Sequence, residues 1–187
     1  MIEAELKARL RGPGEVRARL EACADGAPAT YQDVYFDLPA EQRTADGNEL
    51  RVRTVSTSGG SRHLLTYKAP STHPSGSKPE YETAVGSAET TMEILAGLGY
   101  QRSIELTKHC VNYRFEAGGR EILATLVSVP ELDDTFLEIE TQAEPGDVDE
   151  ALAVVRSVLT AVGVAAEELT AELYSDAVGA ARRGHDQ

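Results

Sequence analysis

Met1-Ile2-Glu3-Ala4-Glu5-Leu6-Lys7 alternates charged with uncharged residues, and Arg9 extends the charged series. Successive side chains on a β-strand point to opposite faces. Glu3, Glu5, Lys7 and Arg9 therefore share one face, as two carboxylates followed by two cations. Carboxylate oxygens hold hard divalent metals, and Lys and Arg hold phosphate oxygens. A strand carrying both suits a metal-complexed nucleotide or polyphosphate. The plainer reading of one such strand is a solvated face, so what matters is whether the pattern recurs.

It recurs. Glu49, Arg51 and Arg53 share one face of a strand, and Arg62 and Lys68 share one of the next. Lys78, Glu80 and Glu82 align, as do Lys108, Asn112, Arg114 and Glu116, and so do Glu138 and Glu140. Side chains two apart on a strand sit roughly 7 Å apart. That spacing lets two carboxylates flank one Mg²⁺ at metal–oxygen distances of ~2.1 Å, and lets Arg51 and Arg53 grip adjacent phosphoryl groups. Two architectures stay open on pattern alone: a charged interior, or a sandwich of two sheets with every charge facing out.

The elements that must position these residues are eight strand-like segments, near 1–11, 31–38, 48–57, 61–69, 78–86, 102–116, 120–129 and 134–143. Turn signals join several of them, at Asp46-Gly47-Asn48, Gly59-Gly60, Gly118-Gly119 and from Pro130 to Asp134. Short connections imply antiparallel pairing, and eight antiparallel strands tend to close into a barrel with room for side chains or one small ligand. The fold class expected is α+β, with an eight-stranded antiparallel β-barrel and helices outside as one solution and the two-sheet sandwich still open beside it. Helices are expected from Glu15 to Cys23, from a Ser87 N-cap to Leu98, from an Asp147–Glu150 capping box to Leu159, and from Ala165 to Ala181. Residues 70–77 read as a polar connecting loop, and residues 182–187 as a disordered tail.

At 187 residues, 41% hydrophobic and 26% charged, the chain suits a single domain, spanning 1–187. There is no apolar run long enough for a bilayer and no signal peptide, so no membrane role is expected and the location is cytoplasmic. Cys23 and Cys110 read as free thiols. The net charge of −13 argues against nucleic acid as a partner. It also requires any anionic ligand to meet a local concentration of the 18 Lys and Arg, aided by metal. His63 and His109 fall on the opposite parity from the charged series, His73 in the loop and His185 in the tail, so no general base stands out.

Together these segments resemble the CYTH superfamily, the triphosphate tunnel metalloenzymes. Glu3-x-Glu5-x-Lys7 is similar to the family's opening motif. Asp33-Val34-Tyr35-Phe36-Asp37, Leu50-Arg51-Val52-Arg53, Leu65-Thr66-Tyr67-Lys68-Ala69-Pro70, Glu80-Tyr81-Glu82, Leu98-Gly99-Tyr100 and Phe136-Leu137-Glu138-Ile139-Glu140 match further motifs in order, as far as residue 176. The resemblance implies a barrel with a charged tunnel. It implies Mg²⁺ or Mn²⁺ on Glu3, Glu5, Glu138 and Glu140, which with Lys7 form the catalytic set. It implies a substrate triphosphate on Lys7, Arg51, Arg53, Lys68 and Lys78, with Lys108 and Arg114 in support and Glu80 and Glu82 on the wall.

The substrate class is a nucleoside triphosphate or inorganic polyphosphate. The branch most resembled is the class IV adenylyl cyclases, converting ATP to cyclic AMP and pyrophosphate. Hydrolysis of tripolyphosphate, thiamine triphosphate or a nucleoside triphosphate is the alternative, and binding without turnover a further one. A homodimer is an assembly to test. Two departures stand out. Cys110 occupies a place where the family often has arginine, with Arg114 as a candidate substitute. Leu123-Ala124-Thr125 lacks the family's acidic residue, with Ala124 taken as the usually charged position. Arg53→Ala is expected to weaken triphosphate binding by ~1.5–3 kcal/mol, as for a lost charge-assisted hydrogen bond.

Overall fold

The alternating segments become the strands β1 (Ile2–Leu10), β2 (Ala27–Asp37), β3 (Glu49–Thr57), β4 (Gly60–Lys68), β5 (Lys78–Val85), β6 (Gln101–Ala117), β7 (Arg120–Ser128) and β8 (Thr135–Ala143) in a computed structural model. Residues 2–39, 47–71 and 77–185 are described. Asp46 of the first expected turn, His73 with most of its loop, and the last two residues lie outside them. The strands pair antiparallel in the order β5-β4-β3-β2-β6-β7-β8-β1. The ring closes where Ile2 and Glu3 of β1 meet Pro79 and Lys78 of β5. Closure removes the two-sheet alternative, because one continuous ring has a single inner face.

Which residues face inward inverts the usual arrangement. The uncharged members of the alternation point outward and are covered. Ala8, Leu10, Tyr113, Ile122, Ala124, Leu137 and Ile139 on the outer face of β1, β6, β7 and β8 pack with Val16 and Leu20 of helix α1 (Pro13–Glu21). Val155, Val158 and Leu159 of helix α3 (Val148–Ala161) complete that core. Helix α2 (Ala88–Gly97) covers Val34, Phe36 and Val52 through Leu95. Each of the larger aliphatic side chains contributes roughly 1.5–3 kcal/mol when fully buried, so much of the stabilising core lies outside the barrel; a second cluster, in which Tyr35, Leu106, Cys110, Val127 and Phe136 pack with Tyr174 and Val178, fills one end of the interior, and the charged face occupies the rest. The β6–β7 turn has Gly118 and Gly119 at φ 57 and 73, where side chains are disfavoured. A Cβ on Gly118 would also meet Val154 Cγ2 at 2.7 Å.

Four expectations are corrected. β2 begins at Ala27, four residues earlier than read, and Pro28 lies within it. The long β6 partners Ala27 to Ala29, whereas β3 joins only from Thr30, so the missing Pro28 N–H breaks no inner ladder. Ser87 caps α2 as expected, accepting from Thr90 N–H at 3.2 Å, but Asp147 caps nothing by its side chain and instead pairs with Arg120.

The expected helix over 165–181 is divided. A 3₁₀ turn, Ala166–Glu168, leads into a short strand β9 (Leu169–Thr170) and then helix α4 (Tyr174–His185). β9 pairs with the free edge of β1 at Lys7 and Ala8, and the Glu168 carboxylate accepts from the Arg11 and Ala165 N–H groups. Edge pairing here outweighs helix propensity. The tail read as disordered from Arg182 is helical to His185, and Arg182 donates to the Glu105 carbonyl and the Glu131 carboxylate.

Candidate functional site

The inner face surrounds a cavity of about 580 Å³. Eight of the chain's 18 Lys and Arg line it, with seven of its 31 Asp and Glu. The basic residues are therefore concentrated in one place although the chain is strongly acidic. Every residue named for the site lines this cavity: Glu3, Glu5 and Lys7; Arg51, Arg53 and Lys68; Lys78, Glu80 and Glu82; Lys108 and Arg114; Glu138 and Glu140.

Carboxylate oxygens of Glu3, Glu5 and Glu140 lie within 4.8 Å of one another. The register sets this up: Glu5 faces Glu140 directly across β1 and β8, and Glu3 is two residues along the same face. Burial pushes the Glu140 carboxyl well above the usual carboxylate range, and the Glu3 and Glu5 charges push it further. Burial raises Glu5 as well; the Lys68 ammonium offsets part of this, and Glu138 and Glu3 add to it. Glu138 differs. Burial acts in the same direction, but the Lys108 and Lys7 ammonium groups outweigh it and leave Glu138 below its ordinary value. Three crowded acids, two of them biased toward protonation, form a donor set that a hard divalent cation would neutralise. Glu3, Glu5 and Glu140 fit such an ion. Glu138, expected as a fourth ligand, is instead turned to the cations, with Lys108 at 3.9 Å.

The cations are held by acids of the same wall. Lys68 reaches Glu3, Glu80 at 3.0 Å and Glu5 at 3.4 Å. Lys78 donates to Glu49 at 2.7 Å; burial alone would raise the Glu49 pKa, and the ammonium brings it below the ordinary value. Arg53 makes a two-pronged pair with Asp33, at 2.6 and 2.7 Å, and stacks over the Tyr31 ring at 4.6 Å. Arg51 is buried, and its Nε has no hydrogen-bond partner among the described residues. A polyanion entering here would exchange internal carboxylate partners for phosphate oxygens.

One end is closed by chain from the far C-terminal side. Thr170, Ala171, Leu173, Tyr174 and Ser175 line the cavity. The Tyr174 ring lies 3.8 Å from Lys108 Nζ and 4.4 Å from Lys7 Nζ, and Lys7 also donates to the Glu172 carbonyl. Burial lowers the Lys7 pKa, and Glu138 and Glu5 offset part of that.

Several participants escaped the sequence reading. Asp33 sat unassigned in a matched motif, and Glu49 on a face already noted; their pairing with Arg53 and Lys78 needs the strand register. Tyr174 left no signal, because it reads as one residue of a long helix. The two departures resolve differently. Cys110 does face inward, but among Leu106, Val127 and Phe136, where burial pushes its thiol up to about 12. Arg114 lines the cavity four residues further along β6 and pairs across to Leu123, so it does not fill the place of Cys110. Ala124 is corrected: it points outward into the helix-packed core. The inward neighbours on β7 are Leu123 and Thr125, and Thr125 donates to Asn112, itself bonded to Tyr31. His63 bonds Thr54 away from the cavity and His109 is exposed, as their parity requires.

The CYTH domain family model matches residues 1–174. No curated protein matches. Among solved structures, the PH1819 protein of Pyrococcus horikoshii superposes with a TM-score of 0.82 at 24% identity, over 95% of this chain and 98% of that one. A candidate adenylate cyclase from Vibrio parahaemolyticus gives 0.79 at 16% identity, over 96% and 98%. HpAC1 from Hippeastrum, described as a candidate adenylyl cyclase with a dominant triphosphatase activity, gives 0.65 at 16% identity, over 98% and 96%.

Proposed function

Because the chain belongs to the CYTH domain family, whose triphosphate tunnel enzymes depend on a metal ion, we propose that it turns over a triphosphate with Mg²⁺ or Mn²⁺ and converts ATP to cyclic AMP and pyrophosphate. The observation that carries this is the three-carboxylate cluster set among eight lining cations in one cavity. Glu3, Glu5 and Glu140 would hold the ion. A divalent ion bound there supplies charge neutralisation and a lowered pKa for a hydroxyl beside it.

The chain's own residues bind and orient. Arg51, Arg53, Lys68 and Lys108 take phosphate oxygens, and Tyr174 with its neighbouring segment keeps water from one end. In cyclisation the ribose 3′-hydroxyl gives up its proton to solvent, its oxygen bonds to the α-phosphorus, the bond from α-phosphorus to the bridging oxygen breaks, and pyrophosphate leaves. With neither His63 nor His109 in the cavity, positioning and electrostatics carry most of the rate.

Hydrolysis is the second reading, favoured by the triphosphatase activity ascribed to the Hippeastrum relative. Incubation with ATP or tripolyphosphate and Mg²⁺ or Mn²⁺ separates the two. Cyclic AMP with pyrophosphate is expected; orthophosphate alone would replace cyclisation with hydrolysis. Tight binding without product would leave a nucleotide or polyphosphate binder, and no binding would end the proposal.

A further inference from the structure

Asn112 is uncharged in a series on β6 otherwise made of Lys108, Arg114 and Glu116. Its amide is tied to two neighbours. Thr125, its register partner on β7, donates to Oδ1 at 2.9 Å, and Nδ2 donates to the Tyr31 hydroxyl oxygen at 2.9 Å. The Tyr31 hydroxyl donates back to Oδ1 at 3.2 Å. Three neutral side chains from β7, β6 and β2 thus form one hydrogen-bonded string. Thr125 and Tyr31 line the cavity, and Asn112 does not.

What the string holds is a ring, and the ring holds Arg53. The Tyr31 ring lies 4.6 Å from the Arg53 guanidinium carbon. Asp33 takes Arg53 Nε and Nη2 at 2.6 and 2.7 Å, which leaves Nη1 outside that pair. Two parallel bonds fix a guanidinium within its own plane but let it rock about the axis they share. A flat ring stacked on one face stops the rocking. The ring can do this only if it is itself held, and Asn112 holds its far end. No link in the string carries a charge, so nothing in it competes with a phosphate oxygen for the guanidinium.

We propose that Asn112 is a positioning residue: through the Tyr31 hydroxyl it keeps the Arg53 guanidinium at one tilt, with Nη1 presented to a phosphate oxygen of the substrate. This rests on the reading of the cavity as a triphosphate site. Asp33 alone keeps Arg53 in place for binding, so the loss of Asn112 falls on the rate, which depends on alignment more steeply than binding does.

The test has two arms. In the first, turnover of ATP or tripolyphosphate with Mg²⁺ or Mn²⁺ is measured for Asn112→Leu, Tyr31→Phe and the double variant. Each is expected to lose about ten-fold in kcat, the rate equivalent of one hydrogen bond, with KM changed less than about two-fold. The double variant is expected to lose no more than either single one, because all three break the same link. In an Arg53→Lys background, which keeps the charge and loses the plane, Asn112→Leu is expected to add less than about two-fold. Losses that multiply, a loss in Tyr31→Phe alone, or a full further loss in the lysine background would overturn the proposal. The second arm needs no substrate. The Arg53 Nε–H signal, identified by its absence in Arg53→Lys, is followed by NMR. A proton over a ring face is shielded, so Asn112→Leu is expected to move this signal downfield; an unmoved signal would overturn the proposal. Wild-type protein that neither binds nor turns over a triphosphate would overturn the reading of the cavity, while the NMR arm would still decide whether Asn112 holds Tyr31 against Arg53.

Discussion

Glu140→Gln is expected to remove metal-dependent turnover by about 10³-fold, the loss that follows when several kcal/mol of metal-centred charge stabilisation goes. The same change is expected to stabilise the metal-free protein. Glutamine keeps the shape and the hydrogen-bonding capacity while removing one of three crowded carboxylates. Burial and the Glu3 and Glu5 charges already hold Glu140 well above the usual carboxylate range, so the ionised form is a strain on the folded state. Its removal should raise the folding stability of the metal-free protein. Thermal unfolding with and without Mg²⁺ or Mn²⁺ reads both effects. Wild-type protein should melt higher with metal, by ligand linkage, and Glu140→Gln should melt higher than wild type without metal but gain little when metal is added. Unchanged turnover of the variant at saturating Mg²⁺ would exclude Glu140 from the ion's ligands.

This opposition between stability and function explains how much of the site could be read from the chain. Alternation is a local property with period two, so the strands and the shared face of Glu3, Glu5 and Lys7 were legible from residue order alone. Whether that face turned in or out was not, because alternation is symmetric: a solvated face and a charged interior give the same pattern. The uncharged faces decide it, through Ala8, Leu10, Tyr113 and Ile139 packing beneath α1 and α3. Partner choice was likewise hidden. Glu138 and Glu140 look equivalent on one strand, yet cross-strand register gives Glu138 to Lys7 and Glu140 to Glu5. The segment from Leu169 to Tyr174 could not be foreseen, because the free edge of β1 that captures it lies about 160 residues away in the chain. A helix-forming sequence met a stronger tertiary demand.

Arg53→Ala is expected to destabilise the fold by about 3–5 kcal/mol, the usual penalty for leaving one member of a buried ion pair alone. That exceeds the ~1.5–3 kcal/mol expected for loss of a phosphate contact. The reason is Asp33, which is fully buried and takes both prongs of the guanidinium. In the folded wild type, burial would raise the Asp33 pKa, but the Arg53 charge and its hydrogen bonds hold it well below the usual carboxylate range. Its contribution to stability is thus present above the unfolded value of about 3.9 and fades as pH falls below it. Without Arg53 burial, the largest effect, is opposed only by the Arg51 and Lys108 charges, so Asp33 is expected to rise above its unfolded value and the sign to reverse. The Arg53→Ala variant should therefore gain stability as pH is lowered from 7 toward about 4, where wild type changes little through this pair. Denaturant unfolding across that range measures the difference. Pairing Arg53→Met with Asp33→Leu removes both charges and should recover most of the folding loss, since apolar replacement of a buried pair is often neutral. Triphosphate binding should stay weak in that double variant, because the phosphate contact does not return. Recovery of binding along with folding would mean that Arg53 acts only as the partner of Asp33, and would remove it from the substrate's ligands.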